Sequence, residues 1–211
     1  MFDNLVTYLS ENSSYLITQF GVHVYISVIG VVLTFLIGFP LGIVLSERPK
    51  ISDIVIGIIN VIQTIPSIAM LTMLLILMGL GQNTVVATVV LYSLLPIVKN
   101  TYVGLVNVDP MYIDSAKGIG MNRYQILYMI KIPLAMPVIF AGVRNALVIS
   151  VGITTIGSFV GAGGVGDVIL RGIAITDGGP IIIVGAVLCA FIAMMMDWLF
   201  DWMMKLSLIH I

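Results

Sequence analysis

Residues 54–98 read IVIGIINVIQTIPSIAMLTMLLILMGLGQNTVVATVVLYSLLPIV, a stretch without one charged side chain. A helix crosses the apolar core of a bilayer in roughly 20 residues. The stretch therefore holds two crossings and a turn, and Gly79-Leu80-Gly81-Gln82-Asn83 is the segment that can turn. No alternating strand pattern appears, and lipid tolerates no unpaired backbone, so the crossings are expected to be helices.

The rest of the chain agrees. Of its 211 residues, 60% are hydrophobic and 9% charged, against about 25% charged in a soluble domain. The expected fold class is an all-α integral membrane protein of one domain, without internal repeats. About five transmembrane helices are read at 20–46, 54–79, 84–107, 133–160 and 180–204. The start of the chain lacks a basic region and carries Asp3 and Glu11, unlike a cleavable signal. The single cysteine, Cys189, lies in an apolar run and reads as a packing residue, with no disulfide or metal cluster. His23 and His210 are far apart, so the spans hold neither a catalytic nor a metal constellation, and no enzyme is expected. The methionines read as apolar fillers, and no nucleic-acid partner is expected.

Basic residues set the orientation. The segment before Gly21 has none, the first loop has Arg48 and Lys50, and the turn near Gln82 has none. The next region has Lys99, Lys117, Arg123 and Lys131, the one after it only Arg171, and the C-terminus has Lys205. The N-terminus is therefore expected outside and the C-terminus inside. Trp198 and Trp202 share a helical face near Lys205 and suit interfacial anchors as well as plain packing.

The basic segment of residues 109–133 is anomalous in so apolar a chain. Read as a helix over 111–127, it starts at Asp109-Pro110, proline being suited to a first turn. Ala116 and Gly120, four apart, would leave a shallow notch on one face. Pro133 and Pro137 would restart the chain as the fourth span. Such a surface can receive a partner or merely link two spans.

The spacing is more specific. Asp114-Ser115-Ala116, three residues, Gly120, nine residues, then Ile130-Lys131-Ile132-Pro133 resembles the coupling-loop signature of ABC importer permeases. That signature is Glu-Ala-Ala, three residues, Gly, nine residues, Ile-x-Leu-Pro. Asp for Glu, Ser for Ala and Ile for Leu are the departures. The resemblance implies a type-1 transmembrane domain over 19–203, after an extracytoplasmic segment 1–18. It also implies a cytoplasmic coupling helix in loop 109–133. Asp114, Ser115, Ala116, Gly120, Ile130 and Pro133 would serve ATPase coupling. Implied partners are a cytoplasmic ATP-binding subunit, which would hold the ATP and Mg, a second permease copy or paralogue, and an extracytoplasmic substrate-binding protein. The lipid bilayer of a bacterial cell membrane would surround the spans. This chain itself would carry no cofactor.

Gln63-Thr64-Ile65-Pro66-Ser67-Ile68-Ala69 and Gly161-Ala162-Gly163-Gly164-Val165-Gly166-Asp167, followed by Arg171-Gly172, look like segments of osmoprotectant permeases. Those import glycine betaine, carnitine, choline and related quaternary ammonium solutes. Methionine-type permeases share the short five-span form and are the nearest alternative. A secondary transporter or channel is the alternative of another class, but the spans have almost none of the coupling carboxylates expected of it.

Pro66 must disturb the second span, and Gln63, Thr64 and Ser67 could re-satisfy the freed carbonyls. The same four residues are candidates for the translocation path. Arg144, deep in the fourth span, should face protein or water. It either lines an inward cavity with Asn145 or lies near the interface. Gly161-x-Gly163-x-x-Gly166 matches a dinucleotide fingerprint in letters, but it follows a membrane span rather than a strand. It reads instead as a flexible break. Gly38-x3-Gly42 and Gly157-x3-Gly161 read as close-packing motifs, and His23 as interfacial. Tyr25, Tyr92, Tyr102 and Phe159 lie in or near spans without forming a cage by sequence. Strong cation–π recognition is therefore assigned to the separate binding protein.

Overall fold

The long apolar runs coil because a helix satisfies its own backbone, which lipid cannot do. The computed structural model describes residues 8–208, with side chains to 205, and all regular structure among them is helical. The main helices are α1 (Ser13–Ser46), α2 (Pro49–Thr64), α3 (Ser67–Met78) and α4 (Gln82–Val106). They are followed by α5 (Pro110–Gly118), α6 (Ile132–Gly157), α7 (Val165–Ala174) and α8 (Gly179–Leu208). Among the described residues, four helical stretches are long and apolar enough to cross a membrane: α1, α4, Arg123–Val160 and α8. The bent pair α2–α3 is the fifth candidate.

Helix α4 is the hub, packed between α1 and α6 through glycines. A Cβ on Gly30 would lie 2.4 Å from Val89 Cγ1, and one on Gly42 2.6 Å from Thr101 Cβ. On the other side of α4, a Cβ on Gly142 would lie 2.6 Å from the Pro96 carbonyl oxygen. Without a hydrophobic drive between helices in lipid, such small residues permit the backbone approach that gives dispersion its effect. The core around these contacts includes Ile26, Val85, Val89, Ile97, Ala146 and Ile153. Several buried hydroxyls are satisfied locally or across the seam: Ser27 and Thr154 meet at 3.1 Å, and Thr34 and Thr88 donate to carbonyls one turn back.

Several expectations need correction. The first helix begins at Ser13, ahead of the expected position 20 and inside the segment 1–18. The second span, expected over 54–79 with a disturbance at Pro66, is two helices, because α2 and α3 meet at 95°. The segment 111–127 is not one helix, because α5 stops at Gly118 and a turn separates it from Arg123. Nor does Pro133 restart the chain. A widened π turn over Ile126–Lys131, with the Ile132 N–H donating to the Leu127 carbonyl, leads straight into α6. That turn sits where the proline ring and missing N–H would break a regular ladder.

The glycine-rich segment is held rather than loose. Gly161, Gly163 and Gly164 all take positive φ (72°, 75° and 83°), conformations open to glycine. Gln19 Oε1 accepts from the Gly164 N–H at 2.7 Å, and His23 Nδ1 from the Val165 N–H at 3.2 Å. His23 is thus 0% exposed, a clasp on the turn and not an interfacial residue. Amphipathic α7, absent from the sequence reading, follows at once. Its Gly166 approaches the Thr155 carbonyl so closely that a Cβ would come within 2.0 Å of that oxygen. Of the two glycine pairs, Gly38 and Gly42 pack on α4 and Gly157 on Val85, while Gly161 packs on nothing. Cys189 is half-buried beside Thr155. Trp198 and Trp202 lie exposed on α8.

Candidate functional site

Two places gather the residues singled out by sequence. The first is the loop between α4 and α6. Asp109 caps α5, its carboxylate accepting from the Met111 N–H at 2.9 Å, with Pro110 in the first turn. Asp114 is exposed and pairs with Lys117 at 3.0 Å. Ser115, also exposed, donates to the Met111 carbonyl at 2.8 Å. Ala116 is 3% exposed and faces inward.

The helix then ends in a Schellman motif. The Met121 N–H reaches the Ala116 carbonyl at 3.1 Å and the Gly120 N–H reaches that of Lys117 at 2.9 Å. Gly120 has φ 85°, the left-handed geometry this stop requires. The alanine and glycine four apart are therefore the third residue from the helix end at Gly118 and the second one past it, beyond Ile119. They do not form a notch on one face.

After the turn, Asn122 and Gln125 form a reciprocal capping box that starts the next helical turn. Ile130 and Pro133 are half-buried in the π turn and the start of α6. Lys131 ties the loop to the end of α1 through Glu47 at 3.1 Å, a pair not anticipated from sequence. Between these anchors the loop exposes apolar side chains: Ile119 is 80% exposed, and Met111, Tyr112, Tyr124, Tyr128 and Met129 are exposed with it.

The second place is a groove of about 330 Å³ where α2, α4 and α6 diverge, lined by Gln63, Leu95, Pro96, Lys99, Asn145 and Val148 among others. Pro96 explains its architecture. Lacking an N–H, it leaves the Tyr92 carbonyl, four residues earlier, without its helical donor. The Gln63 side-chain amide donates to that carbonyl instead. In return the Tyr92 hydroxyl donates to the Ile65 carbonyl, at the break between α2 and α3. Two helix defects in different spans thus satisfy each other. Thr64 donates back to the Val61 carbonyl at 2.7 Å, within its own helix. Pro66 caps α3, and Ser67 opens it half-buried.

Of the candidate path residues, Gln63 and Asn145 meet in this groove, whereas Thr64, Pro66 and Ser67 are not among the lining residues named for it. Arg144 is held by a two-pronged ion pair to Asp197 on α8. This pair escaped the sequence reading because nothing in spacing links positions so far apart. Lys99, read from sequence only as an orientation signal, lines the groove. Tyr25 and Phe159 are exposed, and Tyr102 bonds Ser52, so no aromatic cage forms from them. No group of three metal-ligating side chains occurs among the described residues.

The arrangement is that of a membrane-embedded helical transport component: a gapped bundle with a structured, sticky loop at one end. Residues 35–207 match the family of binding-protein-dependent transport system inner membrane components, and the chain belongs to that family. It is 46% identical to the glycine betaine/carnitine/choline transport system permease protein OpuCD of Bacillus subtilis, covering 94% of this chain and 87% of that protein. It is 48% identical to the carnitine transport permease protein OpuCD of Listeria monocytogenes, over 94% and 89%. It is also 46% identical to the choline transport system permease protein OpuBD of Bacillus subtilis, over 95% and 89%. Its fold is shared with an inward-facing MetNI methionine ABC transporter structure, with TM-score 0.81 and 20% identity over 90% of this chain and 94% of that one. The chain is a membrane permease, a transport component and not an enzyme.

Proposed function

We propose that this permease forms half of the pore of an ATP-driven importer for osmoprotective quaternary ammonium solutes: glycine betaine, carnitine and choline. The observation that carries the solute class is near-half identity, over nine-tenths of the chain, to permeases named for those solutes. The methionine transporter is similar at 20% identity, which speaks for the fold alone.

In this reading the N-terminus lies outside and the loop 109–133 in the cytoplasm, as the clustering of basic residues favours. A separate subunit binds ATP and Mg and receives the α5 loop through Ile119 and its exposed neighbours. Lys131 and Glu47 hold that loop to α1, so a push on α5 moves the spans together. A second permease, identical or homologous, completes the pore, and an extracytoplasmic binding protein delivers the solute. The groove at Gln63, Lys99 and Asn145 lies on the path.

The test is uptake by the full importer in cells lacking other osmoprotectant uptake, with labelled glycine betaine, carnitine, choline and methionine offered in turn. Uptake of at least one quaternary solute, with none of methionine, is expected. Methionine uptake with no quaternary solute moved overturns the reading. In the same cells Ile119→Asp should abolish both uptake and recovery of the ATP-binding subunit with the permease. Full recovery of that subunit would remove Ile119 from the docking surface.

A further inference from the structure

We propose that Lys99 and Asn145 form a carboxylate subsite in the groove, making this pore selective for zwitterionic quaternary ammonium solutes over purely cationic ones. The inference rests on the solute class proposed above and adds a direction to it. Tyr92, Leu95, Pro96 and Lys99 recur at the spacing of one helical face of α4, and the last three line the groove. Arg144, the neighbour of Asn145, is committed to Asp197. Lys99 has no ion-pair or hydrogen-bond partner among the described residues, and no carboxylate is among the groove's lining residues. An ammonium within a membrane span must face protein or water, and Lys99 faces the groove.

A solute with only a fixed positive charge meets Lys99 as an unopposed like charge, in surroundings less polarisable than bulk water. A solute that also carries a carboxylate can turn that end to the Lys99 ammonium and the Asn145 amide. Its trimethylammonium end then points along the face toward Tyr92, roughly 10 Å up the helix at 1.5 Å per residue. The groove, about 330 Å³, is within the roughly 300–1,000 Å³ range of small-molecule sites. With no carboxylate to anchor the cation, the contact is one a conduit can release.

The experiment measures transport rates of the reconstituted importer at saturating, solute-loaded binding protein, so that capture does not set the ratio. Glycine betaine and choline are the two probes. Lys99→Gln should lower the glycine betaine rate about tenfold relative to choline, the effect of one charge-assisted hydrogen bond. Lys99→Glu should push the ratio further toward choline, and Lys99→Arg should restore it. Equal slowing of both solutes, or an unchanged ratio, overturns the subsite and leaves Lys99 an interfacial anchor. A wild-type importer that moves neither solute overturns the proposed solute class, and the subsite with it.

Discussion

Gly120 shows how one residue can be marked by sequence for a reason other than the one that operates. The spacing from Ala116 suggests a notch for a partner. In the fold that spacing is the distance from a buried helical alanine to the left-handed glycine that ends its helix. A side chain at Gly120 meets no neighbour within 4 Å, so bulk alone is harmless there. The left-handed backbone is what a β-branched residue resists, at about 1–2 kcal/mol. Gly120→Val should therefore re-aim the turn carrying Ile119 while the bundle stays folded. Detergent-extracted yield and thermal stability should hold to within a few degrees, and recovery of the ATP-binding subunit should fall. Wild-type recovery would mean that the stop geometry is irrelevant to docking. His23 carries a similar lesson: as a lone histidine it reads as interfacial, because its partner, the Val165 N–H, lies on another element.

At the scale of elements, proline positions are legible but their consequences depend on neighbours. Pro66 announces a disturbed span, yet the 95° bend is held open by Tyr92 of α4 reaching the Ile65 carbonyl. Pro96 announces a lost donor, and the replacement comes from Gln63 of α2. Gln63→Leu should leave the Tyr92 carbonyl unpaired away from bulk water, at a cost of about 1–3 kcal/mol. Tyr92→Phe should do the same to the Ile65 carbonyl. Because the two bonds brace one junction, the double variant should lose less stability than the sum of the two single losses. Thermal unfolding of the four proteins in one detergent measures this, and strict additivity would refute the brace. Helix α7 is the opposite case. The glycine-rich segment reads as looseness, whereas Gly161, Gly163 and Gly164 occupy positive-φ positions in a pinned turn, and only the contacts of Gln19 and His23 show it.

Taken whole, the molecule has two distinct ends, and this makes its orientation testable. One end gathers Glu47, Lys131 and the α5 loop. The other gathers the turn at Gly81, whose N–H bonds the Val160 carbonyl at 2.9 Å, with Gly164 and Gln19. Most basic residues (Arg48, Lys50, Lys117, Arg123 and Lys131) fall at the first end, whereas the second has Arg171, paired with Asp167 at 3.2 Å. The larger number of Lys and Arg therefore sits with the α5 loop, the bias that insertion retains on the cytoplasmic side. The alternation was readable from sequence because it needs only the order of charges and spans. The joining of distant loops into common ends was not, because it depends on packing. Cys189 is half-buried within α8, so the wild-type chain should react little with a membrane-impermeant maleimide. Exposed Asn83→Cys should react on intact cells, and exposed Asn122→Cys only after the membrane is opened. The reverse pattern would invert the chain, remove the α5 loop from any cytoplasmic ATP-binding subunit, and with it the coupling route through Lys131 and Glu47.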